Sequence, residues 1–403
     1  MTTVAIISEY NPFHLGHFHQ IETIRKEFGD DVCIVALMSG NFVQRGTPAV
    51  FDKFTRAKAA LQCGVNLILE FPFPFCSSGA NYFAKNAIHI LDELCGIDYV
   101  SFGVEENTPD TFNCVVEAIC SEKYEQMLNE EINVSNKNVG FAEIREKVLL
   151  SLCKGLNSDF LRKPNNILAI EYLVALKQKK SKIKPHLLQR TVDYHADSVA
   201  ESGMASASFI RSLLNQGKLD DAVQLVPDKA SALYKDAFLN GFWVEQNFCD
   251  LGKMLLSKLR LAEEATDVFE CTEDLSHRIH SASIKAKNYN DLINFAQAAH
   301  LTRSRVQRAV LHTWLNTPSS IAKDIPMYTQ LLATDSRGMS ILKQFNKNSR
   351  IKILVKAANT RMLCPRGKKQ ADFCAKADSV YSLLQPALGS GDEFFRISPY
   401  CVR

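Results

Sequence analysis

No two of the twelve cysteines form a C-x-x-C pair, and no apolar stretch in the 403 residues approaches the roughly 20 that a membrane span needs. The best apolar stretch, Asn66–Phe75, is broken by Glu70, Pro72 and Pro74. Met1-Thr2-Thr3-Val4 lacks the basic start of a secretion signal. There is no low-complexity tract, no poly-lysine tail and no visible internal repeat. These absences exclude a disulfide scaffold, a zinc ribbon and a membrane protein. They predict a cytoplasmic protein with reduced thiols, in which Cys33, Cys63 and Cys76 pack the core. What is present is ordinary for a globular protein: 46% hydrophobic and 23% charged residues, in a length that suggests two to three domains at roughly 150 residues each.

The net charge of +3 conceals an asymmetry. Residues 1–150 carry 11 basic and 20 acidic side chains, whereas residues 301–403 carry 17 and 6. A basic quarter suits a polyanionic partner, because each neutralised phosphate releases counterions, with a solvated basic surface as the alternative. In Arg350-Ile-Lys-Ile-Leu-Val-Lys356 the basic residues alternate with apolar ones, which predicts a folded basic region.

Strand and helix signals alternate through the first hundred residues. The pattern predicts strands at Val4–Ser8, Asp31–Ser39, Asn66–Phe71 and Asp98–Phe102, with helices at Leu15–Phe28, Asp52–Cys63 and Asn81–Cys95. Continuous apolar strands between helices mean an α/β fold, with a parallel sheet covered on both faces and a ligand at the carboxyl ends of the strands. A helical insertion near 110–180 follows, with helices at Thr111–Leu128, Phe141–Leu156 and Ile167–Gln178. A fifth strand is predicted at Pro185–Gln189 and a helix at Ala207–Gln216. From about Leu219 the pattern is mainly helical, with strand signals only at Ile325–Leu332 and Ile351–Val355. The expected division is therefore 1–220 and 221–403.

The strongest site signal is Asn11-Pro-Phe-His14-Leu-Gly16-His17, directly after the first strand and opening the first helix. Helix N-terminal N–H groups favour an anion, Gly16 leaves room for a phosphate, and His14 and His17 can donate to phosphate oxygens as catalytic groups. No carboxylate or thiolate cluster accompanies them, so no metal site is predicted there; His277-x-x-His280 also lacks a third ligand. In the Gly40–Pro48 loop, Asn41, Gln44 and Arg45 suit a phosphate or substrate contact, although Arg45 can equally pair with a surface carboxylate. Lys53 and Arg56, one helical turn apart, read as a solvated face or an extension of that anion site. Gly103 ends the fourth strand, where a side chain would intrude on a nucleotide. Asn165 opens a helix as ligand contact or N-cap, and Arg190 at the end of the fifth strand can reach a phosphate or a purine face, or else form an interhelix salt bridge. Ser206 and Arg211, one turn apart at a helix start, suit outer phosphates, with an ordinary N-cap as the alternative for Ser206.

His14-Leu-Gly-His17 after a first strand resembles the H-x-G-H motif of the HUP-like nucleotidyltransferase α/β superfamily. Longer segments, in order, resemble the bacterial tRNA(Met) cytidine acetate ligase family: Glu9-Tyr-Asn-Pro-Phe-His-Leu-Gly-His17, Met38-Ser-Gly-Asn-Phe-Val-Gln-Arg-Gly46, Leu67-Ile-Leu-Glu-Phe-Pro72, Lys163-Pro-Asn-Asn-Ile-Leu-Ala-Ile-Glu-Tyr172, Arg190 with Tyr194-His195, and Ser206-Ala-Ser-Phe-Ile-Arg211. Beyond residue 220 the match is confined to Ile325-Pro326 and Ala333–Leu342, and Asn66 stands where the family usually has Asp. The resemblance implies a ligase that joins acetate to ATP, with Mg²⁺ recruited through the phosphates, and acetylates N4 of the wobble cytidine of elongator tRNA(Met). It implies ATP contacts at Ile7, Ser8, Glu9, Tyr10, Asn11, Pro12, Phe13, His14, Leu15, Gly16, His17, Phe18, His19 and Gln20, and at Gly103, Asn165, Arg190 and Thr191. Two other classes stay open: an adenylyltransferase for a small phosphorylated metabolite, and a catalytically silent RNA-binding protein.

Overall fold

The computed structural model describes residues 1–135, 139–190, 204–261 and 267–402, so Thr191, Tyr194 and His195 lie outside the described residues. The chain opens as β1 (Thr3–Ser8), α1 (Leu15–Phe28), β2 (Cys33–Ser39), α2 (Lys53–Gln62), β3 (Leu67–Phe71), α3 (Ala80–Glu93) and β4 (Tyr99–Val104). A helical crossover of α4 (Pro109–Ile119), α5 (Glu122–Val134), α6 (Phe141–Leu152), α7 (Ser158–Arg162) and α8 (Pro164–Lys179) leads to β5 (Lys184–Gln189). Then come α9 (Ala207–Asn215), α10 (Leu219–Gln224), α11 (Asp228–Leu239), α12 (Cys249–Leu261), α13 (Glu273–Lys285), α14 (Tyr289–Ala296), α15 (Arg303–Leu315) and the short α16 (Ser319–Ala322). The chain closes with β6 (Tyr328–Thr334), α17 (Ser336–Asn348), β7 (Lys352–Leu354), a 3₁₀ turn at Ala357–Met362, α18 (Pro365–Ser382), α19 (Glu393–Arg396) and β8 (Tyr400–Cys401). No helix among the described residues is long and apolar enough to cross a membrane.

The strands lie in the order β5-β4-β1-β2-β3-β6-β7, with β8 also paired to β6. Successive side chains of a strand point to opposite faces, and the apolar residues divide accordingly. Val4, Ile6, Ile34, Ala36 and Met38 join Ile21 and Ile24 of α1 and Ala57 and Ala60 of α2 on one face. Ala5, Cys33, Val35 and Leu37 join Phe83, Ile88 and Leu91 of α3 and Ala169 of α8 on the other. Both faces are covered, which is why the strands read as continuous apolar runs.

Two local expectations need correction, and the sheet and the packing add features to the expected fold. The first five strands are parallel, as expected, and β6 joins them antiparallel to β3, so the whole sheet is mixed. Position 220/221 falls within α10, whose Ala222 and Val223 are buried in the same sheet-face core as Val4 and Ile6. The later helices share the other core, with Leu255, Leu292 and Val306 clustered with Leu37 and Leu69. The helix expected at Thr111–Leu128 is two, because Ser121 starts α5 by accepting the Tyr124 N–H. Gly103 does not end β4 but pairs within it, opposite Leu188 of β5.

Candidate active site

From β1 the chain proceeds sideways to β2 and β3, then returns to place β4 on β1's other flank. The carboxyl ends of β1 and β4 thus form the topological switch point, where an open α/β sheet leaves a crevice. A cavity of about 200 Å³ lies there, walled by Ile7–Asn11, His14, His17, Gln20, Gln44, Arg45, Gly103, Asn165, Arg190, Ser206 and Arg211. Residues spread over 200 positions meet there because β1, β4 and β5 end, and α9 begins, at one edge.

The two histidines hold each other. His14 is the N-cap of α1, and its Nδ1 accepts the Gly16 N–H at 3.1 Å, while His17 Nδ1 accepts the His14 N–H at 3.3 Å. With Nδ1 accepting on both rings, the ring hydrogen of each neutral imidazole sits on Nε2. The rings lie 3.8 Å apart, and Tyr10 packs edge-on against His17 at 4.9 Å. Burial, followed by Arg190 and Arg211, pushes His14 down to about 3. Burial, then His14 and Arg190, also holds His17 well below the ordinary histidine value. Near neutral pH the pair therefore presents two uncharged N–H donors.

This geometry corrects the reading of the helix start. A Cβ on Gly16 would lie 3.0 Å from His14 Cε1, so the glycine makes room for the imidazole rather than for a phosphate. The Leu15 and Gly16 N–H groups are taken by Leu225 O and His14 Nδ1. Any donors to a bound anion must therefore come from side chains. Arg211 donates to Asn11 O at 2.7 Å and to Ser208 Oγ at 3.2 Å, which fixes its guanidinium at the cavity wall. Arg190 runs over Gly103, where a Cβ would meet its Cγ at 3.1 Å; the missing side chain is what lets the arginine lie flat there.

Other residues take ordinary roles. Ser206 caps α9 through Phe209 N. Asn165 is not the N-cap of α8 but its second residue; Glu105 accepts from Asn165 Nδ2 and N and from Asn166 N, closing that helix start. Gln20 donates to Ser101 Oγ at 3.3 Å, and Glu9 accepts the Gln44 N–H at 3.0 Å. Pro12, Phe13, Leu15, Gly16, Phe18 and His19 do not line the cavity: Phe13 is buried in the core, and His19 is exposed.

Asn41, Lys53 and Arg56 are also displaced from their expected roles. Lys53 is fully buried, its Nζ 2.8 Å from both Glu70 oxygens and 2.7 Å from Asp378 Oδ2 on α18. Asn41 joins this cluster by donating to Asp378 Oδ1 and accepting the Lys53 N–H. Arg56, equally buried, donates to the carbonyls of Glu9, Ser39, Gly40 and Phe51, and so ties together the loops that follow β1 and β2. Neither cation is solvated and neither lines the cavity. Glu70, Cys374 and Asp378 could together ligate a metal by spacing, but the Lys53 ammonium already occupies the position between the carboxylates. His277 and His280 gather no third ligand among the described residues. Cys33, Cys63 and Cys76 are buried, and burial raises Cys33 to about 12 and Cys63 to about 11, as core thiols should be.

Sequence reasoning missed the apolar wall formed by Val43, Phe83, Phe102, Leu168 and Tyr172. Part of it was legible: Asn165, Leu168 and Tyr172 recur at helical spacing on one face of α8.

Paired imidazoles at the first helix of a parallel sheet, facing a crevice ringed by guanidinium groups, define a nucleotidyltransferase-type site. In agreement, residues 1–393 match the family model described as HIGH Nucleotidyl Transferase. The tRNA(Met) cytidine acetate ligase of Clostridium perfringens is 32% identical over 421 residues, covering 100% of both chains. That of Caldanaerobacter subterraneus is 33% identical over 366 residues, covering 89% of each. Thermotoga maritima TmcAL is similar in structure over 100% of both chains at 27% identity, with TM-scores of 0.93 for the apo form and 0.90 for the form bound with alpha-thio ATP. This chain belongs to the tRNA(Met) cytidine acetate ligase family.

Proposed function

We propose that this protein forms acetyl-adenylate from acetate and ATP, then acetylates N4 of the wobble cytidine of elongator tRNA(Met). The carrying observation is the convergence of His14, His17, Arg45, Arg190 and Arg211 on one cavity at the switch point. An acetate oxygen attacks the α-phosphorus, the bond to the β-phosphate oxygen breaks, and pyrophosphate leaves. Acetate is already ionised at neutral pH, so the step needs no base, which suits two uncharged histidines. Their Nε2–H groups donate to the oxygens on which charge builds, and the arginines offset the leaving pyrophosphate. Among the described residues Glu9 is the carboxylate lining the cavity, so Mg²⁺ would be held by Glu9 and chiefly by phosphate oxygens, neutralising polyphosphate charge. The cytosine amine then attacks the acetyl carbon, loses its proton, and displaces AMP; the base must first leave the anticodon stack.

In this reading residues 1–220 supply the ATP and acetate chemistry, and the basic stretch 301–403 engages the tRNA. Two measurements test it: acetate-dependent exchange of labelled pyrophosphate into ATP, and transfer of labelled acetate to the wobble cytidine of an elongator tRNA(Met) transcript. Exchange that needs a phosphorylated metabolite instead of acetate would identify an adenylyltransferase. RNA binding without any exchange would identify a silent RNA-binding protein.

A further inference from the structure

Two lysine-rich segments distant in sequence meet at Asp92 and Glu93, where α3 ends. The α8–β5 connection and the chain after α17 both reach Asp92 and Glu93 at the end of α3: Lys179 lies 2.8 Å from Glu93, Arg350 2.9 Å from Glu93 and 3.3 Å from Asp92. Two open troughs, about 960 and 660 Å³, flank this junction and share Arg350 as a common wall. The first is lined by Lys180, Lys182 and Lys184, the second by Lys352 and Lys356, all exposed. Among the described residues none of these five ammonium groups has a carboxylate within 4.0 Å; Asp92 and Glu93 are taken by Lys179 and Arg350. Lys177 and Lys179 can be explained by the dipole at the α8 C-terminus, but Lys182, Lys184, Lys352 and Lys356 lie on no α-helix.

We propose that these joined troughs are a second docking site for the RNA substrate, tracking its phosphodiester backbone at a distance from the reacting base. The assignment rests on the tRNA reading above and adds a surface to it. The first trough lies at the amino-end edge of β1, β4 and β5 and the cavity at their carboxyl-end edge, about six residues or about 20 Å away. A mononucleotide cannot touch both edges, whereas a folded RNA can. The lining favours RNA over a protein partner. Protein interfaces are depleted in lysine and centred on aromatic and apolar anchors; here lysines and Arg350 line both troughs, Ile351, Leu354 and Leu363 in the second are buried with Met362 exposed, and Tyr99 in the first carries the Lys184 ammonium 5.7 Å above its ring.

The test is the variant Lys182→Glu/Lys184→Glu/Lys352→Glu/Lys356→Glu in the full chain. Affinity for an unmodified elongator tRNA(Met) transcript is measured directly over a range of salt, alongside acetate-dependent pyrophosphate exchange without RNA. The expected result is a loss of affinity of 10-fold or more near 0.1 M salt, and a log–log salt slope shallower by about 3, at about 0.7–0.9 per lost phosphate contact. RNA-free exchange and the melting midpoint should match the parent, which excludes misfolding. A milder set, the same lysines changed to Gln, should give an intermediate slope. Unchanged affinity and slope in the Glu variant would overturn the proposal and leave an acidic protein surface as the occupant to seek. If the parent shows no acetate-dependent exchange but the slopes still differ, the functional reading fails and the docking site stands.

Discussion

Lys53 is the side chain whose removal the structure prices most sharply. Its ammonium lies within 2.8 Å of both oxygens of Glu70 and 2.7 Å from Asp378, with no exposure of Lys53 or Glu70. In Lys53→Met the two carboxylates keep only weak compensation, the Cys374 thiol 3.7 Å from Glu70 and the Asn41 amide 2.9 Å from Asp378. Stripping one partner from a buried ion pair costs about 3–5 kcal/mol, out of a total of about 5–15. At roughly 2–4 °C per kcal/mol that is on the order of 10 °C in melting midpoint. The pH dependence supplies a second readout. Burial raises both carboxyls above their ordinary range, against the pull of Lys53. The folded state therefore binds their protons more tightly than the unfolded chain, and their contribution is best at low pH and lost as pH rises through the raised values. Without Lys53 the values rise further, so the deficit should be larger at pH 7.5 than at pH 5.5. Urea titrations followed by the fluorescence of Trp314, buried beside Phe42, measure both quantities. Adding Glu70→Gln and Asp378→Asn should recover most of the loss. A deficit below about 1 kcal/mol at pH 7.5, or one equal at both pH values, would refute the reasoning.

Removal of one pre-placed donor by His17→Ala should lower acetate-dependent pyrophosphate exchange about 10²–10³-fold; near-full exchange in the His14→Ala/His17→Ala double variant would place the chemistry elsewhere. Both histidines are held below their ordinary value, so the unfolded chain binds their protons more tightly; their stabilising contribution is complete above about pH 6.5 and is lost as pH falls toward the depressed values. Urea midpoints between pH 7.5 and 4.5 should fall less steeply in His14→Gln/His17→Gln than in the parent. Gly103→Val would push into Arg190, whose Cγ and Cδ lie 3.1 and 3.2 Å from the site of a Cβ, and should weaken ATP binding 10-fold or more in a folded protein, as read by calorimetric titration. Asn66 donates to Asp335 at 2.8 Å and accepts from Ile34 N, so Asn66→Asp would set two carboxylates in contact. It should cost about 1–3 kcal/mol in urea titrations and be recovered by Asp335→Asn.

Local pattern was enough for the elements that begin the chain. Continuous apolar strands of five to seven residues, separated by helices with one apolar stripe, can be satisfied only by a sheet buried on both faces, and α1 falls at Leu15–Phe28 as its spacing requires. The place of His14 and His17 at the crevice was legible for the same reason: it follows from their sitting just past a strand, which is a local fact. Tertiary structure decided whatever depended on a distant partner. Lys53 and Arg56 have the sequence of an exposed helix face; they are buried because Asp378, 325 residues away, and the carbonyls at the ends of β1 and β2 complete their charge and hydrogen bonds. Gly16 looked like a gap for phosphate until the His14 ring was seen to fill it. The direction of β6 is equally silent in its composition, since all seven of its residues are buried. Pattern reports how much of a segment is hidden, whereas the orientation of a strand, or the counter-charge of a buried cation, is set by whichever distant segment arrives beside it.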